Sequence, residues 1–124
     1  MKILLIDDDS FLRDMYATKF TELGYDIDVA ESAEVAISKL QGSSYDVLLL
    51  DMVMPGMTGV ELIKIIKSDH IGGDPLCIML SNQSDEHDKQ SALDAGAIGY
   101  IVKAELIPSE VVEAVKTLIA QAKS

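Results

Sequence analysis

Leu48-Leu49-Leu50-Asp51-Met52-Val53-Met54-Pro55-Gly56 decides how the rest of the chain is read. The run from Val47 to Leu50 has no polar alternate, the pattern of a strand buried on both faces in a parallel sheet covered by helices. It ends on an acid. A carboxylate at the carboxyl end of a central strand faces the crevice where open α/β sheets hold their ligands, so Asp51 is the first functional candidate. Pro55-Gly56 then predicts a type II turn, with proline fixing one φ and glycine accepting a positive one. An aspartate here can also do no more than cap that turn. The other acids of the chain decide between the two readings.

Outward from this strand, strands and helices alternate. Residues 2–6 form an apolar strand broken by Asp7-Asp8-Asp9-Ser10, after which Leu12, Met15, Tyr16, Phe20 and Leu23 recur at helical spacing until Gly24. Asp9 and Ser10 suit the N-cap of that helix. Residues 25–30 alternate Tyr25, Ile27 and Val29 with two aspartates, as a half-exposed edge strand would. A helix capped by Ser32 follows, with Ala33, Ala36, Ile37 and Leu40 inward and Gln41-Gly42 as its stop. After the Asp51 strand, Thr58-Gly59-Val60-Glu61 reads as a capping box opening a third helix to about residue 68, and Gly72-Gly73-Asp74-Pro75 breaks the chain. Residues 76–80 make a fourth buried strand ending at Ser81. Ser84 is the expected cap of a polar fourth helix that closes at Gly96. Residues 98–102 make a fifth strand ending at Lys103, and Pro108 opens a last helix with Val111, Val112, Val115, Leu118, Ile119 and Ala122 inward. In this order the strands are β1 to β5 and the helices α1 to α5. The (βα)5 alternation predicts right-handed crossovers and a parallel sheet with helices on both faces.

At 124 residues, 48% hydrophobic and 25% charged, the chain has the size and composition of one globular domain, expected to span residues 1–124. A net charge of −11 argues against direct contact with nucleic acid or anionic membrane and suits basic partners or bound cations. Cys77, the single cysteine, sits in an apolar run as a small buried hydrophobe. The apolar stretch Ile3 to Ile6 is too short for a membrane span or signal peptide, and a cytoplasmic protein is expected. His70 and His87 read as surface residues, and Met52, Met54 and Met57 as packing residues beside hard oxygen donors.

Four of the five expected strands end in Asp7-Asp8, Asp51, Ser81 and Lys103. A parallel sheet brings these ends to one edge. Clustered carboxylates repel by about 4 kcal/mol per pair at 4 Å and an effective dielectric of 20, so they require protonation or a cation. All-oxygen donors suit Mg²⁺. Carboxylate, divalent cation, hydroxyl and lysine together make a site for phosphoryl transfer, with Asp51 as nucleophile forming an acyl phosphate.

These residues resemble the receiver domains of two-component response regulators, including the single-domain chemotaxis type. The resemblance covers essentially the whole chain. It implies a flavodoxin-like three-layer sandwich with strand order 2-1-3-4-5. It also implies Asp51 as phospho-acceptor, Asp8 and Asp51 as direct Mg²⁺ ligands, Asp7 acting through water and the Val53 backbone carbonyl completing the set. By the same resemblance Ser81 bonds the phosphoryl group, Lys103 contacts it, and Tyr100 is an aromatic switch that turns inward. The donor would be the phosphohistidine of a histidine kinase or histidine phosphotransfer protein, with Phe11 and Leu12 in its docking patch. A downstream target would bind the α4–β5–α5 face. The chain would be a signalling switch that catalyses its own phosphorylation and slow dephosphorylation.

Two features depart from the family pattern. Lys103 precedes Ala104 where a cis proline is usual; cis before alanine costs about 2.5–4 kcal/mol, so a trans bond with an altered loop or a strained cis bond is expected. Asn82 and Gln83 follow Ser81 where a small residue is common, and are expected to slow or redirect phosphoryl exchange. Two alternative functions compete. Asp7-Asp8-Asp9 permits a phosphatase of the haloacid-dehalogenase type with Asp7 as nucleophile, but the Thr or Val that family carries two residues after its second aspartate is Phe11 here. The other is a degenerate receiver acting as a constitutive interaction module, which the intact acids, Ser81 and Lys103 disfavour.

Overall fold

The computed structural model describes residues 1–123, so Ser124, the expected end of the domain, lies outside the described residues. Along the chain run β1 (Lys2–Ile6), α1 (Ser10–Glu22), β2 (Asp26–Ala30), α2 (Ala33–Gly42), β3 (Val47–Asp51), α3 (Gly59–Asp69), β4 (Leu76–Ser81), α4 (Glu86–Ala95), β5 (Ala97–Val102) and α5 (Pro108–Ala122). The five strands are parallel in the order β2-β1-β3-β4-β5, which puts β2 at an edge as its polar alternation requires. A two-residue antiparallel ladder, Val53–Met54 with Met57–Thr58, closes around the Pro55-Gly56 turn. Gly56 has φ +81°, the positive value a type II turn demands.

β3 shows why its sequence lacks polar alternates. All five of its residues are buried, with Val47 and Leu49 packed on the side of α1 and α5 and Leu48 and Leu50 on the side of α2, α3 and α4. Successive side chains of a strand point to opposite faces, so a central strand covered by helices needs apolar residues at every position. Tyr16 and Phe20 of α1 join Val111, Val112, Val115 and Ile119 of α5 in one core layer. The other contains Ala33, Ala36 and Leu40 of α2 with Leu62, Ile63 and Ile66 of α3.

Helix starts follow capping chemistry, with two corrections. Asp9 alone caps α1, its Oδ1 accepting from the Leu12 N–H at 3.1 Å, and Ser10 is the first helical residue. α4 is capped by Asp85, not Ser84, because Gln83 is held outside the helix by Ser81 and Tyr100. The Thr58–Glu61 capping box is formed in both directions. α3 ends earlier than the glycine pair, at a left-handed His70 with φ 53°. No cis peptide bond occurs among the described residues, so Lys103-Ala104 is trans, and a 3₁₀ turn over Lys103–Glu105 follows it. Among the described residues no helix is long and apolar enough to cross a membrane.

Candidate functional site

The carboxyl ends of β1, β3, β4 and β5 deliver Asp7, Asp51, Ser81 and Lys103 to one edge of the sheet, and these four are the buried polar or charged side chains among the described residues. Lys103 Nζ donates to Asp7 Oδ2 at 3.0 Å and stands 3.5 Å from Asp51 Oδ1. Asp7 Oδ1 also accepts from the Asp9 N–H at 2.9 Å. Asp7, the nucleophile of the phosphatase alternative, is 0% exposed and has both oxygens engaged. Asp8 is exposed at the mouth. One carboxylate oxygen from each of Asp7, Asp8 and Asp51 lies within 4.8 Å of the other two.

The charges do not balance. Burial pushes the Asp51 carboxyl up to about 6, Lys103 opposes the rise, and Asp7 and Asp8 add to it. Burial would pull the Lys103 ammonium down, but the attraction of Asp51 and Asp7 outweighs it and holds its pKa above the ordinary value. One ammonium therefore faces three carboxylates. The donor set is hard oxygen with one exposed member, Asp8, which fits a small divalent cation such as Mg²⁺.

Ser81 and Tyr100 meet at a group that residue patterns do not reveal. The Ser81 hydroxyl donates to the Gln83 carbonyl at 2.9 Å and accepts from the Gln83 N–H at 3.2 Å. The half-buried Tyr100 hydroxyl donates to the same carbonyl at 3.1 Å. Ser81 thus stands at the site with its hydroxyl turned toward its own loop. Val53 lies in the short ladder opposite Thr58 and is 71% exposed.

Helical spacing marks Tyr16 only as a core position, yet its buried phenol lies in the field of Lys103, Asp7 and Asp51. Its pKa is raised, chiefly by burial, with Lys103 opposing. Arg13 Nη1 donates to the Asp7 carbonyl at 2.9 Å and ties α1 to the end of β1. Neither contact has a signal in residue spacing. A cleft of about 400 Å³ between residues 40–44 and 70–73 lies at the opposite edge, where β3 and β4 begin. Asp85, His87 and Asp88 also cluster, but Asp85 and His87 are exposed and the group sits at the start of α4, where the helix dipole repels cations.

The sequence pattern of the response regulator receiver domain matches residues 3–116. Over 121 residues the chain is 36% identical to the transcriptional regulatory protein ResD of Bacillus subtilis (strain 168), covering 98% of this chain and 49% of that protein. It is 33% identical over 117 residues to the phosphate regulon transcriptional regulatory protein PhoB of Pseudomonas aeruginosa, covering 94% of this chain and 51% of PhoB. The chain thus spans about half the length of these two relatives. Among solved structures, the chemotaxis response regulator CheY4 of Vibrio cholerae superposes with TM-score 0.85 at 27% identity, covering 94% of this chain and 97% of that one. The receiver domain of the Francisella response regulator 1452 does so with TM-score 0.84 at 30% identity, covering 98% of each. Since the matched span takes in Asp7, Asp8, Asp51, Ser81, Tyr100 and Lys103, the chain belongs to the response regulator receiver domains of two-component signalling.

Proposed function

We propose that this chain, like other receiver domains, is a signalling switch that accepts a phosphoryl group with Mg²⁺ at its acidic pocket, that Asp51 is the acceptor, and that residues 1–124 act as one receiver unit. The observation that carries this reading is the buried Asp51 carboxylate at the end of β3, 3.5 Å from the Lys103 ammonium and grouped with Asp7 and Asp8. The donor is a phosphohistidine on a histidine kinase or histidine phosphotransfer protein. An Asp51 carboxylate oxygen attacks the phosphorus in line, the P–N bond to the imidazole breaks, and the imidazole nitrogen keeps the electron pair and takes a proton from solvent. Lys103 offsets part of the charge that gathers on the phosphoryl oxygens. Asp8, Asp51 and the Val53 carbonyl would hold Mg²⁺, with Asp7 acting through water, and the ion would supply the remaining charge neutralisation.

Phosphorylation shifts the population toward a conformer in which Ser81 leaves the Gln83 carbonyl for the phosphoryl group and Tyr100 packs inward. The output is a protein target on the α4–β5–α5 face. A cleft of about 270 Å³ lined by Tyr100, Ile101, Val102, Glu105, Leu106 and Ala114 supports that face. The negative charge supports a protein target rather than nucleic acid or membrane, in the cytoplasm.

The three most exposed large apolar side chains among the described residues are Phe11, Val53 and Ile107, at 73%, 71% and 61%. Each follows the carboxyl end of a strand, β1, β3 or β5, so all three rim the acidic edge. This apolar rim supports docking of a protein donor. Phe11→Asp combined with Ile107→Asp is expected to slow phosphoryl transfer from a histidine kinase at least about tenfold. Labelling by acetyl phosphate, which needs no docking, is expected to stay unchanged. An equal loss with both donors would show that the rim does not dock a kinase.

A further inference from the structure

Gly59 opens α3 with a backbone conformation open to any residue, and helix propensity favours alanine over glycine there. Its surroundings do not permit the change. A Cβ at position 59 would stand 2.6 Å from the Asp51 carbonyl oxygen and 2.6 Å from Met79 Sδ, closer than real Cβ contacts come. The Gly59 N–H donates to the Met52 carbonyl at 2.8 Å, and the Met52 N–H donates to the Leu80 carbonyl at 3.0 Å. Met52, the residue that follows Asp51, is therefore held between β4 and the first turn of α3. The Thr58–Glu61 capping box determines where that turn begins.

We propose that Gly59 is a positioning residue for Asp51: its missing side chain seats α3 on the Asp51 main chain and so sets where the carboxylate stands relative to Asp7, Asp8 and Lys103. The two close neighbours of Gly59 differ in kind. Met79 is a flexible side chain that can be trimmed, whereas the Asp51 carbonyl is backbone and yields only if Asp51 itself moves. A side chain at 59 thus has a packing effect through Met79 and a separate effect on the acceptor.

This inference rests on Asp51 as the acceptor, and the test separates the two. Gly59→Ala is compared in the wild-type and Met79→Ala backgrounds, measuring stability, the rate of labelling by acetyl phosphate and Mg²⁺ affinity by calorimetric titration. Gly99→Ala is the control, since the nearest atoms its Cβ would meet all belong to the Leu118 side chain in α5. In the Met79→Ala background the stability cost of Gly59→Ala shrinks. The labelling rate still falls at least about tenfold in both backgrounds, and Mg²⁺ affinity falls about tenfold. Gly99→Ala loses stability but keeps its rate and Mg²⁺ affinity. Recovery of rate and Mg²⁺ affinity together with stability, or no change in either, would overturn the proposal. A wild type that takes no label from acetyl phosphate or from a histidine kinase would overturn the acceptor reading instead, and the Mg²⁺ titration would still decide the role of Gly59.

Discussion

Asp51→Asn stabilises the folded chain at pH 7.5 in metal-free buffer, by on the order of 2–3 kcal/mol relative to its effect at pH 4. Burial, reinforced by Asp7 and Asp8, raises the Asp51 carboxyl to about 6 from an ordinary value of 3.8. A carboxyl with a raised pKa binds its proton more tightly in the folded state. Its contribution is fully present below pH 3.8 and is lost as pH rises through 6, so above pH 6 the ionised group weakens the fold. Asparagine mimics the protonated form and does not titrate. Denaturant melts from pH 4 to 8 should therefore show a gap that opens between about pH 4 and 6 and then stays constant. Mg²⁺ should narrow the gap by stabilising the wild type more than the variant. A gap that stays flat from pH 4 to 8 would mean that the Asp51 charge is already fully compensated in the fold.

The opposite sign is expected for Lys103→Met. The Lys103 side chain is 3% exposed and its Nζ lies between Asp7 and Asp51, so its loss leaves two buried carboxylates without their cation. Removing one partner from a buried ion pair costs roughly 3–5 kcal/mol, a fall in Tm of about 10–20 °C for a domain of this size. The loss should be largest at pH 7.5 and shrink toward pH 5 as Asp51 takes up a proton, and added Mg²⁺ should recover part of it. A cost below about 1 kcal/mol that does not vary with pH would place Lys103 among ordinary surface pairs.

These opposite signs come from one geometry that was largely legible in the sequence. The unbroken apolar run before Asp51 marked a strand covered on both faces, and the polar alternation of residues 26–29 marked an edge; both follow from local periodicity. The acids, Ser81 and Lys103 converge because parallel topology brings strand ends together, which alternation alone implies. The resemblance then supplied their individual roles. Other features were hidden because they depend on contacts distant in sequence. Spacing marks Tyr16 as a core position, but only the packing of α1 sets its phenol in the field of Lys103. Gly59 looks like filler inside a capping box until α3 is docked on Asp51. Ser84 is a good cap by residue type, yet Asp85 takes that role because Gln83 is held by two hydroxyls from other positions. The turn before Pro108 needed no cis bond once proline was absent after Lys103, and the chain there forms a 3₁₀ turn instead.

Intact mass after incubation with acetyl phosphate and Mg²⁺ tests the central claim most directly, comparing wild type, Asp51→Asn and wild type in EDTA. Wild type with Mg²⁺ should gain the mass of one phosphoryl group, labile to hydroxylamine as an acyl phosphate is, and neither other sample should gain it. An adduct that persists in Asp51→Asn, or a wild type left unmodified by both acetyl phosphate and a histidine kinase, would contradict Asp51 as the acceptor.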